Sequence, residues 1–140
     1  MYVVSAALKQ IFILDLVAET YTTQSTVHGR FENEPDTIRH IIRNGDATTS
    51  SNGFLYFTED SGTMGIHGRD PKGNFFTLLE TADGTDGVAQ NGGETSGLAF
   101  SPDGMHMYFS LARAGVLYDI TRADGLPFDA ETLDIQYASS

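Results

Sequence analysis

Apolar residues along this chain come in short runs, none longer than a strand. They read Ile11-Phe12-Ile13-Leu14, Phe54-Leu55-Tyr56-Phe57, Phe75-Phe76-Thr77-Leu78-Leu79, Leu98-Ala99-Phe100, Met107-Tyr108-Phe109 and Val116-Leu117-Tyr118. β-Branched and aromatic residues dominate them, and Gly, Asp, Asn or Pro bounds each one. That composition suits a pleated, half-buried surface, and the flanking residues are those that turns require. No segment sustains a helical period, with 38–42 the one ambiguous stretch. The pattern predicts an all-β chain.

The runs also repeat. Tyr2-Val3-Val4-Ser5, Tyr56-Phe57-Thr58 and Tyr108-Phe109-Ser110 recur along the chain. Each is followed by an apolar stretch that reaches an Asp, at Asp15, Asp70 and Asp119. An aromatic-Thr pair follows the first two, Tyr21-Thr22 and Phe76-Thr77, and a segment opening with Glu precedes the second and third Tyr runs, at Glu34 and Glu94. One unit therefore reads as strand A after the Glu, strand B with the Tyr, strand C ending at the Asp, and strand D with the aromatic-Thr pair. Four strands in about fifty residues is the length of a propeller blade. One such sheet cannot cover its own two faces, so blades stack around an axis and cover one another.

The units span about 1–30, 34–82 and 94–137, giving a partial β-propeller of about two and a half to three four-stranded antiparallel blades. The first unit opens at its B strand, and 132–137 is the expected D strand of the third. Closure takes at least four blades, roughly, so the chain reads as part of a larger ring whose other blades lie outside it. Ser101-Pro102-Asp103-Gly104 is the expected A–B turn of the third unit, because Pro presets φ, Asp bonds the following backbone and Gly accepts φ > 0.

The formal net charge is −11, from 8 basic and 19 acidic residues. A surface that acidic repels phosphate backbones, which argues against nucleic acid as a partner. The excess serves solubility, or some carboxylates converge on a hard cation such as Ca²⁺. The absence of Cys excludes disulfides and thiolate sites. No stretch approaches the ~20 apolar residues of a membrane span. Residues 1–16 superficially suggest a leader, but Lys9 and Asp15 interrupt the apolar run and no cleavage site frames it.

Gly97-Leu-Ala-Phe-Ser-Pro-Asp-Gly104 followed by Met107-Tyr-Phe-Ser110 is a widespread propeller signature. Three further segments add to it: Glu94-Thr95-Ser96-Gly97 before it, Leu55-Tyr-Phe-Thr-Glu-Asp60 leading to Gly65-Ile-His-Gly-Arg-Asp70, and Thr26-Val-His-Gly-Arg-Phe31 to Glu34-Pro-Asp36. Together with Gly115-Val-Leu-Tyr-Asp-Ile-Thr-Arg122 they resemble the C-terminal part of the PhoX-like alkaline phosphatases. The resemblance implies a β-propeller whose central channel holds calcium and iron, hydrolysis of phosphate monoesters, and export to a secreted, periplasmic or extracellular location. It also implies a Cys ligand that this chain lacks.

Within that frame Glu94 is the leading metal-ligand candidate, at the entry of an inner strand with Thr95 and Ser96 beside it. Glu34, next to Asp36, holds the corresponding place one unit earlier. Glu59 and Asp60, adjacent acids after strand B, form a third candidate. The plain alternative for each is a solvated turn. Arg69 and Arg113 are the candidates for substrate phosphate, since a guanidinium fork matches two phosphate oxygens. His67 and Arg69 alternate along a strand and so share a face. Asp15, Asp70 and Asp119 repeat with the unit, which points to turn stabilisation.

Three functions follow as expectations. The first is part of a metal-dependent phosphomonoesterase, with channel-facing carboxylates feeding a metal cluster of calcium and, in the full-length parent, iron. The second is a non-catalytic propeller binding module. The third is a lactonase-like calcium hydrolase, which the Ser-Pro-Asp-Gly motif also permits.

Overall fold

The computed structural model describes residues 1–32, 34–41, 53–60, 65–80, 94–112, 114–128 and 133–138. The described residues form ten strands and no helix. They are β1 (Tyr2–Ser5), β2 (Gln10–Asp15), β3 (Thr20–Ser25), β4 (Glu34–Ile41), β5 (Phe54–Asp60), β6 (Gly65–Arg69), β7 (Phe75–Glu80), β8 (Thr95–Phe100), β9 (His106–Leu111) and β10 (Val116–Thr121). Every pairing is antiparallel between chain neighbours, giving three meanders: β1-β2-β3, β4-β5-β6-β7 and β8-β9-β10. No described helix is long and apolar enough to cross a membrane.

The repeat read from the sequence is a repeat of register. Tyr2 lies opposite Ile13, Tyr56 opposite Gly68 and Tyr108 opposite Asp119, each pairing strand B with strand C. The meanders stack face to face, with the four-stranded sheet in the middle. Alternation along β5 divides its residues between two cores. Leu55 and Phe57 turn toward the first sheet and join Ile11, Phe31 and Phe75. Tyr56 turns toward the third sheet and joins Ile66, Phe76, Leu98, Met107 and Phe109. Burying one such side chain contributes about 1.5–3 kcal/mol. The Tyr56 hydroxyl, carried into the core, donates to the Phe128 carbonyl at 2.8 Å.

Close approach decides one glycine. A Cβ on Gly68 would lie 2.1 Å from the Phe76 ring, so β6 can pass under that aromatic only without a side chain. The Ser101–Gly104 turn forms as its residues dictate. Gly104 has φ of 70° and its N–H reaches the Ser101 carbonyl at 2.9 Å, while Asp103 accepts from Met105 N–H at 3.0 Å.

Three expectations change. The stretch toward residue 137 does not add a fourth strand to the third sheet. Tyr137 instead bridges to Phe76 and Ala138 N–H donates to the Phe75 carbonyl at 2.8 Å, so the segment covers the open edge of β7 (Thr132 lies outside the described residues). Second, Tyr21 corresponds to Phe75 rather than Phe76. Tyr21 sits opposite Leu14 and Phe75 opposite Arg69, each just before the strand-ending Asp, because the turn after Asp70 is one residue shorter. Third, Asp119 lies within β10, opposite Tyr108, and is not the counterpart of Asp15 and Asp70.

Those two Asp residues do close turns. Asp15 Oδ1 accepts from Val17 and Ala18 N–H at 2.9 and 3.0 Å, and Asp70 accepts from the Asn74 backbone and side chain, both at 2.8 Å. At Asp15 these backbone bonds hold the carboxyl below its ordinary value. At Asp70 burial pushes upward, but the bonds from Asn74, Tyr137 and Lys72 together outweigh it and the net direction is down.

Gly68→Ala should lower the unfolding free energy by about 1–3 kcal/mol, the cost of overpacking against a ring that has no room to retreat, as read from urea denaturation followed by circular dichroism. An unchanged midpoint would mean the sheets are not packed as described. Acid sensitivity has a defined sign. A carboxyl whose folded pKa lies below its unfolded value stabilises fully above the unfolded value, about 3.9, and loses that contribution as pH falls through the folded one. The urea midpoint should therefore hold from pH 7 to about 5 and fall below about 4. Asp70→Asn should lower the midpoint at pH 7 and flatten the acid limb.

Candidate functional site

Antiparallel pairing fixes where the candidate carboxylates stand. Glu34 opens β4 opposite Asp60, the fourth residue after Tyr56. In the third sheet the Glu94 carbonyl accepts from Ala112 N–H at 2.9 Å, and Ala112 is the fourth residue after Tyr108. Glu34 and Glu94 are therefore equivalent positions, each at the start of the first strand of its sheet, and β4 lies against β8. Both are half-buried.

Both first strands bulge just past the Glu, β4 between Pro35 and Ile38 and β8 between Ser96 and Ala99. A hydroxyl at one equivalent position serves each bulge. Thr58 Oγ1 accepts from Thr37 N–H at 2.8 Å, and Ser110 Oγ donates to the Ser96 carbonyl at 3.1 Å. Bulges bend a strand and re-aim its side chains, which is why they gather beside functional sites. Thr95, next to Glu94, is 1% exposed, and its Oγ1 has no hydrogen-bond partner among the described residues. An orphaned buried hydroxyl is costly and calls for a reason.

Glu59 takes a different course. Successive strand residues point to opposite faces, so Glu59 and Asp60 do not chelate as a pair. Glu59 is fully buried: Oε1 accepts from Glu32 N–H at 3.0 Å and Oε2 meets His67 Nε2 at 3.0 Å. His67, also fully buried, meets Thr77 Oγ1 through Nδ1 at 3.0 Å and stacks on Phe31 with centroids 4.3 Å apart and planes 4° from parallel. Through its two ring nitrogens His67 thus joins Glu59 to Thr77. The chain of bonds ties β5, β6 and β7 to the 26–32 loop. Neither residue alone advertised this. The signal lay in the register, which sets Phe57 opposite His67 and His67 opposite Thr77.

Arg69 does share the face of His67, and it works between sheets there. Its Nε donates to Gln24 Oε1 at 2.7 Å and Nη1 to the Asp70 carbonyl at 3.3 Å, while Gln24 Nε2 donates to the Gly73 carbonyl at 2.9 Å. Burial presses its pKa below the ordinary Arg value, with the charges of Tyr2 and Asp70 pulling the other way. These contacts make Arg69 a clamp between the first and second sheets and give no support to its reading as a phosphate ligand. Arg113 lies outside the described residues. Asp36 is exposed and accepts from the Thr37 hydroxyl at 3.2 Å.

At the other ends of β4 and β8 a cleft of about 380 Å³ opens between Arg39, His40 and the Ser101–Gly104 turn. Burial, then the N-terminal charge, lowers the His40 pKa. Among the described residues no three His, Asp or Glu side chains gather closely enough to hold a metal ion by themselves. Compared with family models, curated proteins and solved structures, the chain finds no match.

Glu59→Ala should cost about 3 kcal/mol of stability, because it leaves the buried His67 imidazole and the Glu32 N–H without their partner. Glu59→Gln keeps an acceptor for one of them and should cost about half as much. Chemical denaturation of the two variants checks the order. Equal losses would mean that the carboxylate acts through packing alone.

Proposed function

We propose that this chain supplies three sheets of a β-propeller phosphomonoesterase of the PhoX-like alkaline phosphatase kind, exported and calcium-dependent. In this reading the meanders are blades, β4 and β8 are inner strands, and Glu34 and Glu94 face a shared channel. The observation that carries the reading is the register equivalence of those two carboxylates at the entry of neighbouring first strands, each set by a bulge.

The residues fit calcium as contributions from separate sheets. Ca²⁺ takes roughly six to eight oxygens, more than one sheet offers, and like-charged carboxylates that converge need a cation between them. Glu94 and Glu34 are hard oxygen donors of the right type. Asp60, directly across from Glu34, extends the same acidic rim. No residue here is assigned to iron. Bound at such a channel, the ion supplies Lewis-acid polarisation and neutralises phosphate charge. The chain itself holds the carboxylates at fixed height: the bulges aim them, Thr58 and Ser110 set the bulges, and the two cores fix the sheets.

A second reading, a binding module that uses calcium without hydrolysis, draws on Arg69 and Glu59, whose polar atoms are engaged inside the fold.

Calcium added to the assembled protein should raise its melting temperature, and EGTA should reverse the rise. Glu34→Gln and Glu94→Gln should each weaken calcium binding about tenfold or more in calorimetric titration, equivalent to about 1.4 kcal/mol. Hydrolysis of p-nitrophenyl phosphate should disappear in chelator and in Glu94→Gln. Calcium binding with no hydrolysis under any condition selects the second reading. Hydrolysis undiminished in EGTA sinks the first.

A further inference from the structure

Residues 133–138, which follow the third sheet in the chain, lie on the edge of the second and are held there by few contacts. Tyr137 bridges Phe76, Ala138 N–H donates to the Phe75 carbonyl at 2.8 Å, and the Tyr137 hydroxyl donates to the Asp70 carboxylate. The Tyr137 ring meets the Phe76 ring edge-on with centroids 6.1 Å apart, and Ile135 packs against the core that the second and third sheets share. No further bridge joins the segment to β7. That strand carries Leu78 as an extra residue against β6, and such a bulge bends a strand away from a straight neighbour. A cleft of about 280 Å³ is left between 133–136 and the stretch from Phe76 to Leu78, and another of about 340 Å³ lies beside Tyr137, between Arg30 and Thr77. Asp134, Gln136 and Tyr137 are exposed.

The Tyr137 bond reaches further than the edge that the segment covers. Asp70 also accepts from the backbone and side chain of Asn74, and so closes the turn that carries Gly73. The Gly73 carbonyl accepts from Gln24 Nε2 at 2.9 Å, and Gln24 Oε1 accepts from Arg69 Nε at 2.7 Å. One run of hydrogen bonds thus leads from Tyr137, through Asp70 and its turn, to Gln24 on β3. Nearby, Gly29 of the 26–32 loop comes so close that a Cβ there would stand 2.6 Å from the Ala138 Cβ. Every partner in this arrangement lies within the described chain. Ala138 bonds the first residue of β7, so the edge ends where the segment leaves it.

We infer that 133–138 is a strap that opens and closes as a unit of its own, and that its closure is coupled through Asp70 to the clamp between the first and second sheets. A segment with few buried contacts and one short ladder opens at a far lower free energy than a strand covered on both faces. When the strap lifts, Asp70 loses a donor, and the turn that presents Gly73 to Gln24 loses a constraint. Linkage is reciprocal, so a change at Gln24 shifts the strap in turn. The segment behind the third sheet thereby steadies a contact between the other two.

Amide hydrogen exchange, followed by NMR on the whole chain at neutral pH in EGTA, tests this apart from the calcium reading. The Ala138 N–H should exchange at least about a hundredfold faster than the amides of β5, which open only with the whole fold. Tyr137→Phe removes the hydroxyl and keeps the ring against Phe76. It should speed exchange about tenfold at Ala138 and about threefold at Gly73 and Asn74, with β5 and the Gly104 turn unchanged. Gln24→Ala, made in the first sheet, should speed exchange at Ala138 about threefold and leave β5 as it was. Gln24→Glu keeps the acceptor for Arg69 and loses the bond to Gly73, so it should give the same shift even where the Ala variant folds poorly. Ala138 protected as strongly as β5 in the wild type overturns the separate opening. The coupling is overturned if Gly73 and Asn74 are undisturbed in Tyr137→Phe, or if Ala138 is undisturbed in both Gln24 variants.

Discussion

From Leu55 to Glu59 every residue of β5 is buried, so this strand depends on a cover over each of its faces. A strand in a two-layer sandwich needs only one. The first sheet supplies one cover through Tyr2, Val4, Ile11 and Ile13, and the third supplies the other through Leu98, Met107 and Phe109. Much else answers to this constraint. Gly68 has no side chain because Phe76 must lie across it, and Tyr56 brings its hydroxyl into the core only because Phe128 offers a carbonyl there. Arg69 spends its guanidinium on Gln24, fastening one cover in place.

The same constraint explains where polar groups are tolerated. Glu59 and His67 are both fully buried, and each has its partners: Glu32 N–H, Thr77 Oγ1 and one another. Buried polar groups are sustainable when fully bonded and expensive when one partner is missing. The counterparts of this pair elsewhere are Ser5 with Phe12 and Leu111 with Tyr118, so the network belongs to the middle sheet alone and is no feature of the repeat. That sheet is the one with no solvent face, where a polar network can specify a single packing without competition from water.

Much of the fold was legible because strand period and turn chemistry are local. β9 falls on the segment predicted for it, and the Tyr runs identify equivalent strands in all three sheets. What was not legible depends on register or on distant partners. The Tyr21–Phe75 equivalence is hidden because two turns differ by one residue, and sequence similarity alone favoured Phe76. Asp119 looked like Asp15 and Asp70, yet it sits within a strand where His106 Nδ1 meets its Oδ1 at 2.8 Å. The destination of Tyr137 hinges on the free edge of β7, which no local pattern announces. At the candidate site, the equivalence of Glu34 and Glu94 was readable from spacing. The inward turn of Glu59 was not, since adjacent acids say nothing about which of them faces a histidine.

Glu34 and Glu94 keep equivalent places even though their neighbours differ. Pro35 follows one and Thr95 the other, and the two bulges differ by one residue in the position they oppose on strand B. A regular ladder would carry such differences along the strand and turn the carboxylates to different faces, because a one-residue slip reverses every side chain. The bulge absorbs the mismatch in each sheet. Thr58 and Ser110, equivalent residues on strand B, each bond the distorted backbone that results. The position of the acid is thereby uncoupled from the hydrophobic register behind it. The cores can then require Leu98 and Ile38 to pack inward without dictating where Glu94 and Glu34 stand.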